Sequence, residues 1–438
     1  MKCQWISSSP DGAWVRQRGV RTGGGQAPGL VIEARDLQPW EGFGGCFNEL
    51  GWIALQALGR RDRARALDAL FSRSAGCGFT RCRMPIGASD YAAEWYSHNE
   101  HAGDYAMRRF SIARDEQYLI PYIREAQLRR PDLSLFASPW SPPTWMKFPR
   151  AYNHGALIWT PQNLKAYAQY FVKFVKAYAR AGIRIDEVHP QNEPVADQKF
   201  PSCKWTGAQL RDFIRDYLGP AIRRSGLKTG IWLGTLNTAD YNNFVQAVLS
   251  DARANRFIEG VGFQWDGKGA IQRTHQSWPD KRLMQTENEC GDGKNTWDYA
   301  HYVFELLQHY IGNGANAYVY WNMVLPEGGR STWGWLQNAM LSVDLARGRL
   351  TYNPEYYVMR HFAGVVRPGA RVLGVSGPWA GNAVAFRNPD GAQIVVVQNP
   401  AEDSRALALT AGGERCTLKL PSRSINTLVL RAGRVRKG

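Results

Sequence analysis

Two textures alternate through the middle of the chain. Short runs rich in β-branched and aromatic residues, each ending in polar or aromatic positions, occupy residues 42–47, 79–87, 133–141, 185–194, 230–238, 260–267, 282–289 and 317–325. Between them lie segments whose apolar residues recur every three or four positions. In residues 161–181, Leu164, Tyr167, Ala168, Phe171, Phe174, Val175 and Tyr178 share one helical face. Thr160 stands where an N-cap belongs and Pro161 at the first helical position, where its missing N–H would have had no partner anyway. Residues 208–224 and 297–311 read the same way. Strands alternating with helices imply parallel βαβ units, and eight of them over about 300 residues predict a (β/α)₈ barrel.

The texture changes after residue 357. Short alternating strands at 370–373, 383–387, 393–398, 416–420 and 427–431 are separated by Gly, Pro and Asn-Pro turns, and only Trp379 and Phe386 are aromatic there. This predicts a small β-sandwich without chemistry of its own. Residues 1–35 are too few to fold alone and are expected to add strands to that sandwich. The organisation read from the sequence is therefore N-terminal strands (1–35), a catalytic-type barrel (36–357) and a side domain (358–438), an α/β fold with a flanking β-sandwich.

Composition narrows the class. Apolar residues make up 44% and aromatics 12% of the 438 residues, with 17 Trp, which excludes a disordered chain. No run approaches the ~20 apolar residues of a membrane span, and the first twenty residues lack the apolar centre of a leader peptide. A cytoplasmic protein is expected, or a secreted one if a leader has been removed. The seven cysteines (3, 46, 77, 82, 203, 290 and 416) form no C-x-x-C pair, so reduced thiols are expected rather than a disulfide framework or zinc ribbon. The formal charge of +16 raises nucleic-acid binding. The basic residues are spread out, however, with one dense cluster at Arg431, Arg434, Arg436 and Lys437, and no nucleic-acid-binding motif spacing is present. General surface charge is the reading, with no specific nucleic-acid partner; an acidic polysaccharide or an anionic membrane surface also suits it.

A barrel of this kind works at the C-terminal ends of its strands. Arg83, Asp90, Trp140, Asn192, Glu193, Gln264, Trp265, Glu287, Trp321 and Glu327 fall there. Carboxylates among indoles and amides suit a sugar: indoles stack on its apolar face, amides hold its hydroxyls, and two carboxyls supply acid and nucleophile. Gly42-Phe43-Gly44-Gly45 has no following Lys and lacks either nucleotide fingerprint, so it reads as a tight strand-to-helix turn. His98 and His101 beside Glu100 lack a third metal ligand and read as a polar loop or helix face. His189 reads as a neighbour of the site rather than a base, and Cys290 as a buried thiol. Trp145, Trp333 and Trp335 are core or rim, with one of them expected at the substrate rim.

Glu193 follows Asn192 in His189-Pro190-Gln191-Asn192-Glu193-Pro194, and is placed to protonate a leaving oxygen. For the nucleophile, Glu287 and Glu289 lie two apart and face the same way if extended, so spacing leaves both open. Six segments in order, GFGGCFNE (42–49), RMPIGASDY (83–91), ASPWSPPTWMK (137–147), HPQNEP (189–194), QTENE (285–289) and YWNMVLPEGG (320–329), resemble glycoside hydrolase family 30. That family includes glucosylceramidases, β-1,6-glucanases and xylan-acting enzymes. The resemblance implies a retaining β-glycosidase with Glu193 as acid/base and Glu287 as nucleophile, and no cofactor or metal. It implies Asp90, Trp140, Asn192 and Trp321 as subsite contacts, with Gln264 and Trp265 beside them, and Arg83 as the partner orienting a carboxylate. The expected substrates are β-glucosides, glucosylceramide-like or β-1,6-glucan, with xylan or glucuronide cleavage, or an inactive carbohydrate-binding barrel, as alternatives. Asp266 stands where glucosylceramidases carry an aromatic residue, and Glu289 is an extra acid.

Overall fold

The computed structural model describes residues 2–23 and 29–431; Gly24, Gly25, Arg434, Arg436 and Lys437 lie outside them. Eight strands close the barrel: β1 (Gly42–Cys46), β2 (Arg81–Pro85), β3 (Ser134–Ser138), β4 (Glu187–Val188), β5 (Gly230–Leu236), β6 (Ile258–Gln264), β7 (Arg282–Glu287) and β8 (Ala317–Asn322). Each pairs in parallel with its neighbours, and β8 returns to β1 through Val319↔Gly44 and Tyr320↔Gly45. The strands are buried on both faces, which is why they read as dense apolar runs.

The glycines of GFGG belong to a strand, not to a turn. A Cβ on Gly44 would lie 1.6 Å from the carbonyl oxygen of Arg81, and one on Gly45 would lie 2.3 Å from Met323 Cγ. The helix Pro161–Arg180 begins as expected, the Thr160 hydroxyl accepting from the Asn163 amide at 3.2 Å. It buries Tyr167, Phe171, Phe174 and Tyr178 against the barrel. Thr296 caps Trp297–Gly312 in the same manner. Among the described residues no helix is long and apolar enough to cross a membrane.

The barrel interior is layered. At its lower end Arg81 is held between Glu187 (2.6 Å) and Glu41 (3.3 Å), over the ring of Trp232. Phe136, Trp232, Met284 and Val319 fill the middle. His189 lies in this layer, tilted against Phe136 and stacked on Trp232, with neither ring nitrogen hydrogen-bonded. Burial and the charges of Arg83 and Arg81 push its pKa well below the usual range, so it stays neutral. The floor under the upper end of the barrel is thus apolar.

Among the described residues the side domain is one hydrogen-bonded order of ten strands folded around Trp5, Leu30, Leu373, Val395, Leu407 and Leu428. Lys2–Ser9 pairs antiparallel with Ser424–Arg431, bringing the two ends of the chain together. Gly29–Trp40 pairs with Ala370–Ser376 and, in parallel, with Arg405–Ala411, a strand the sequence reading did not contain. The boundary read at 35/36 falls inside Gly29–Trp40, and that at 357/358 inside the helix Pro354–Ala363. That helix lies between barrel and sandwich, Phe362 packing on Phe43 and Phe304 while the His361 ring is hydrogen-bonded to Ser8 and Thr427 of the sandwich. Trp40 packs at the seam between barrel and sandwich, touching Phe43 of β1 on one side and Phe386 of a sandwich strand on the other.

Candidate active site

Arg83 organises the upper end of the barrel. It projects from β2, is fully buried, and lies over the rings of Trp140 (4.5 Å) and Trp321 (5.4 Å). One terminal nitrogen donates to Glu287 Oε2 at 2.7 Å and to Gln264 Oε1 at 3.1 Å; the other donates to Asn192 Oδ1 at 2.6 Å and Ser138 Oγ at 2.8 Å. A planar fork of fixed donors is needed for this, which a lysine could not supply.

Each polar neighbour is oriented in turn. Gln264 accepts on its oxygen from Arg83 and Thr286, which turns its amide nitrogen towards the carboxyls. That nitrogen donates to Glu193 Oε1 at 3.0 Å and to Glu287 Oε2 at 3.2 Å. Asn192 Oδ1 takes donors from Arg83, Gln264 and Thr235, leaving its NH₂ as a donor at the cavity wall. Trp265 Nε1 lies 3.3 Å from Glu287 Oε1. Glu193 and Trp265 both have left-handed backbone, with φ of 50° and 48°. Non-glycine residues are held that way only where surrounding structure over-determines them.

The electrostatics separate the two carboxyls. Burial, then the charge of Glu287, pushes Glu193 up to about 8, with one hydrogen bond from Gln264 opposing. Burial also raises Glu287, but Arg83, Trp265 and Gln264 all favour its ionised form. The surroundings therefore favour the proton on Glu193 and the charge on Glu287. Asp90 is raised well above the usual carboxylate range by burial and by both glutamates, and its Oδ1 has no partner.

Asp90, Trp140, Asn192, Glu193, Trp265 and Glu287 line one cavity of about 210 Å³. Arg83 and Gln264 lie beneath it, and Trp321 packs beside Trp140. Glu327 is exposed and not part of the wall. Glu289 points elsewhere as well: β7 ends at Glu287, the two-residue alternation stops with it, and Glu289 pairs with Lys268 (2.6 Å) and Tyr302 (2.7 Å). Cys290 is buried 3.9 Å from Glu287, its thiol pushed up by burial and by that carboxylate. Trp335 is the rim tryptophan, with Trp333 packed against both it and Phe200, while Trp145 is buried and donates to the Asn99 carbonyl. His98 is buried with its Nε2 accepting from the Gly87 amide. Among the described residues no group of three His, Cys, Asp or Glu is placed to hold a metal.

Gln198, Phe200 and Asn237 complete the wall without having been foreseen. Asn237 directly follows β5, so the strand-end rule reaches it. Gln198 and Phe200 come from a loop with no periodic signal.

Comparison with known proteins places this arrangement. Residues 40–366 match the glycosyl hydrolase family 30 TIM-barrel domain, and residues 369–428 match the family's β-sandwich domain. The chain is 29% identical over 424 residues to the lysosomal acid glucosylceramidase of Mus musculus, covering 89% of this chain and 80% of that one. It is 27% identical over 425 residues to an endo-1,6-β-D-glucanase of Trichoderma harzianum, covering 89% and 84%. The crystal structure of SrfJ from Salmonella typhimurium superposes with a TM-score of 0.91 at 29% identity, covering 99% of this chain and all of that one.

Proposed function

The chain belongs to glycosyl hydrolase family 30, and on that premise we propose that it is a β-glycosidase retaining anomeric configuration, with Glu287 as nucleophile and Glu193 as acid and base. The observation that carries this reading is the shared donor. One amide nitrogen bonded to both carboxyls, at 3.0 and 3.2 Å, keeps their facing oxygens within about 6 Å, the close approach that a retaining mechanism uses.

In the first step Glu287 Oε attacks the anomeric carbon as the glycosidic C–O bond breaks, and the Glu193 proton passes to the departing oxygen. Esterification removes the Glu287 charge that helps hold Glu193 protonated, so the proton affinity of Glu193 falls. Glu193 then takes a proton from the water that attacks the anomeric carbon, and Glu287 leaves as carboxylate. The Asn192 NH₂ and Asp90 are placed for the sugar hydroxyls, and Trp140 for the ring face.

For the substrate we favour a β-glucan, as in the 1,6-glucanase relative, over a glycolipid, as in the glucosylceramidase relative. The mouth carries Asp266, Gln198 and Asn237 together with the indoles of Trp265 and Trp335, which is the chemistry of a sugar leaving group. Peptide mass spectrometry after incubation with a 2-deoxy-2-fluoro β-glucosyl donor tests the scheme. A single adduct on Glu287 is expected. An adduct on Glu289 would overturn the assignment, and no adduct with a glucosyl donor but one with a xylosyl donor would overturn the sugar.

A further inference from the structure

A second cavity, of about 650 Å³, lies at the opposite end of the barrel from Glu193 and Glu287. One wall is the N-terminal end of the barrel, where Gly42 and Thr80 begin or precede strands β1 and β2; the other is the β-sandwich, through Asn388, Ile394 and Val429. Two arginines line each wall: Arg73 and Arg130 from the barrel, Arg367 and Arg431 from the sandwich side.

Countercharge is short on both sides. Arg73 and Arg130 share Asp132, at 2.8 and 2.9 Å. Arg367 and Arg431 share Asp390, at 3.6 and 3.2 Å. Arg130 is the telling residue. Its side chain is 4% exposed, and its Nε is buried 2.9 Å from Asp132 Oδ1 without a hydrogen bond of good geometry. Arg130 is among the residues that line the cavity. A guanidinium removed from water this completely is costly unless its donors are used. Burial and the like charge of Arg73 lower its pKa from the ordinary arginine value, with Asp132 opposing them.

We propose that this cleft between barrel and sandwich binds a small, multiply charged phosphate, taken by Arg130 and Arg73 on one side and Arg367 and Arg431 on the other. Planar guanidinium groups match phosphate oxygens in paired, charge-assisted hydrogen bonds. A ligand spanning both walls binds only the docked arrangement of the two domains, so it raises the unfolding midpoint with concentration.

The test is calorimetric titration of the full chain with inorganic pyrophosphate at constant ionic strength, chloride being the control, with ADP as a second arm. One saturable site per chain is expected, with a matching rise in the thermal midpoint. Binding of ADP together with pyrophosphate assigns phosphate esters to the cleft; pyrophosphate alone assigns the free anion; either supports the proposal. Arg130→Gln is expected to weaken binding at least about tenfold. Because Arg130 is buried, the Arg367→Gln/Arg431→Gln double variant, at two exposed positions, is the parallel test and is expected to do the same while hydrolysis of aryl β-glucosides is unchanged. No saturable binding beyond the chloride control, or full affinity in the double variant, would overturn the proposal.

Discussion

Glu193→Gln should make the protein more resistant to heat as pH rises, and the structure sets the size of the effect. Glu193 is buried beside Glu287 and holds its proton up to about 8, against 4.5 for an ordinary glutamate. Each tenfold in proton affinity is about 1.4 kcal/mol, so the ionised form is disfavoured in the folded protein by about 5 kcal/mol relative to the unfolded chain. The folded-state pKa is raised, so this stability is fully present below pH 4.5 and is lost as pH climbs to about 8. Glutamine is neutral throughout and loses nothing over that window. With roughly 2.1 cal/mol/K of unfolding entropy per residue, 1 kcal/mol moves the midpoint of a 438-residue chain by about 1 °C. The midpoint of Glu193→Gln minus that of wild type should therefore grow by about 2–5 °C between pH 4.5 and pH 8.5, the lower figure applying if Glu287 takes up part of the strain. Scanning calorimetry of both proteins across that range is the assay. Replacing a carboxyl by an amide near Gln264 adds an offset that does not vary with pH, so the slope is the readout. A flat or falling difference would refute the claim that Glu193 is the buried, protonated partner.

The remaining outcomes divide by residue. Glu287→Gln should lower kcat by at least about 10³-fold, whereas Glu289→Gln should keep activity within about fivefold, since Glu289 is turned to Lys268 and Tyr302; steady-state kinetics on an aryl β-glucoside separates them. Arg83→Lys should cut kcat at least about 100-fold and move the acidic limb of the kcat/KM profile to higher pH, because the charge that favours ionised Glu287 is weakened. Asp266→Leu should raise KM for β-1,6-gluco-oligosaccharides about tenfold and leave aryl glucosides within about twofold, as expected if it faces only the leaving group. Gly44→Ala should destabilise the fold by more than about 3 kcal/mol, seen as insoluble expression or a collapsed thermal midpoint, because the new methyl collides with a backbone carbonyl.

How much of this was legible in the sequence follows from what each element must bury. The eight barrel strands are closed in on both faces and their helices on one, so each left a pattern, and all eight runs contain a strand. Arg405–Ala411 left none: in RALALTA the core positions are filled by Leu407, Leu409 and small alanines, without the β-branched or aromatic residues that mark a strand. The GFGG run looked like a turn because glycine's freedom is visible in a sequence, while the carbonyl of Arg81 occupying the place of a side chain is not. The site shows the same division. Its residues were readable from strand ends and motif order, yet their relation depends on register. Along β6 and β7, Phe263 pairs with Gln285, but the next pair is Gln264 with Glu287, so Thr286 is passed over. A regular ladder would set Gln264 against Thr286 and put Glu287 out of phase with it. The irregularity seats Glu287 beside the one amide that also reaches Glu193, and a side-chain period of two cannot reveal a bulge that resets the count. Glu289 shows the opposite consequence of the same rule, since the alternation that made it a rival to Glu287 presumes a strand that has already ended.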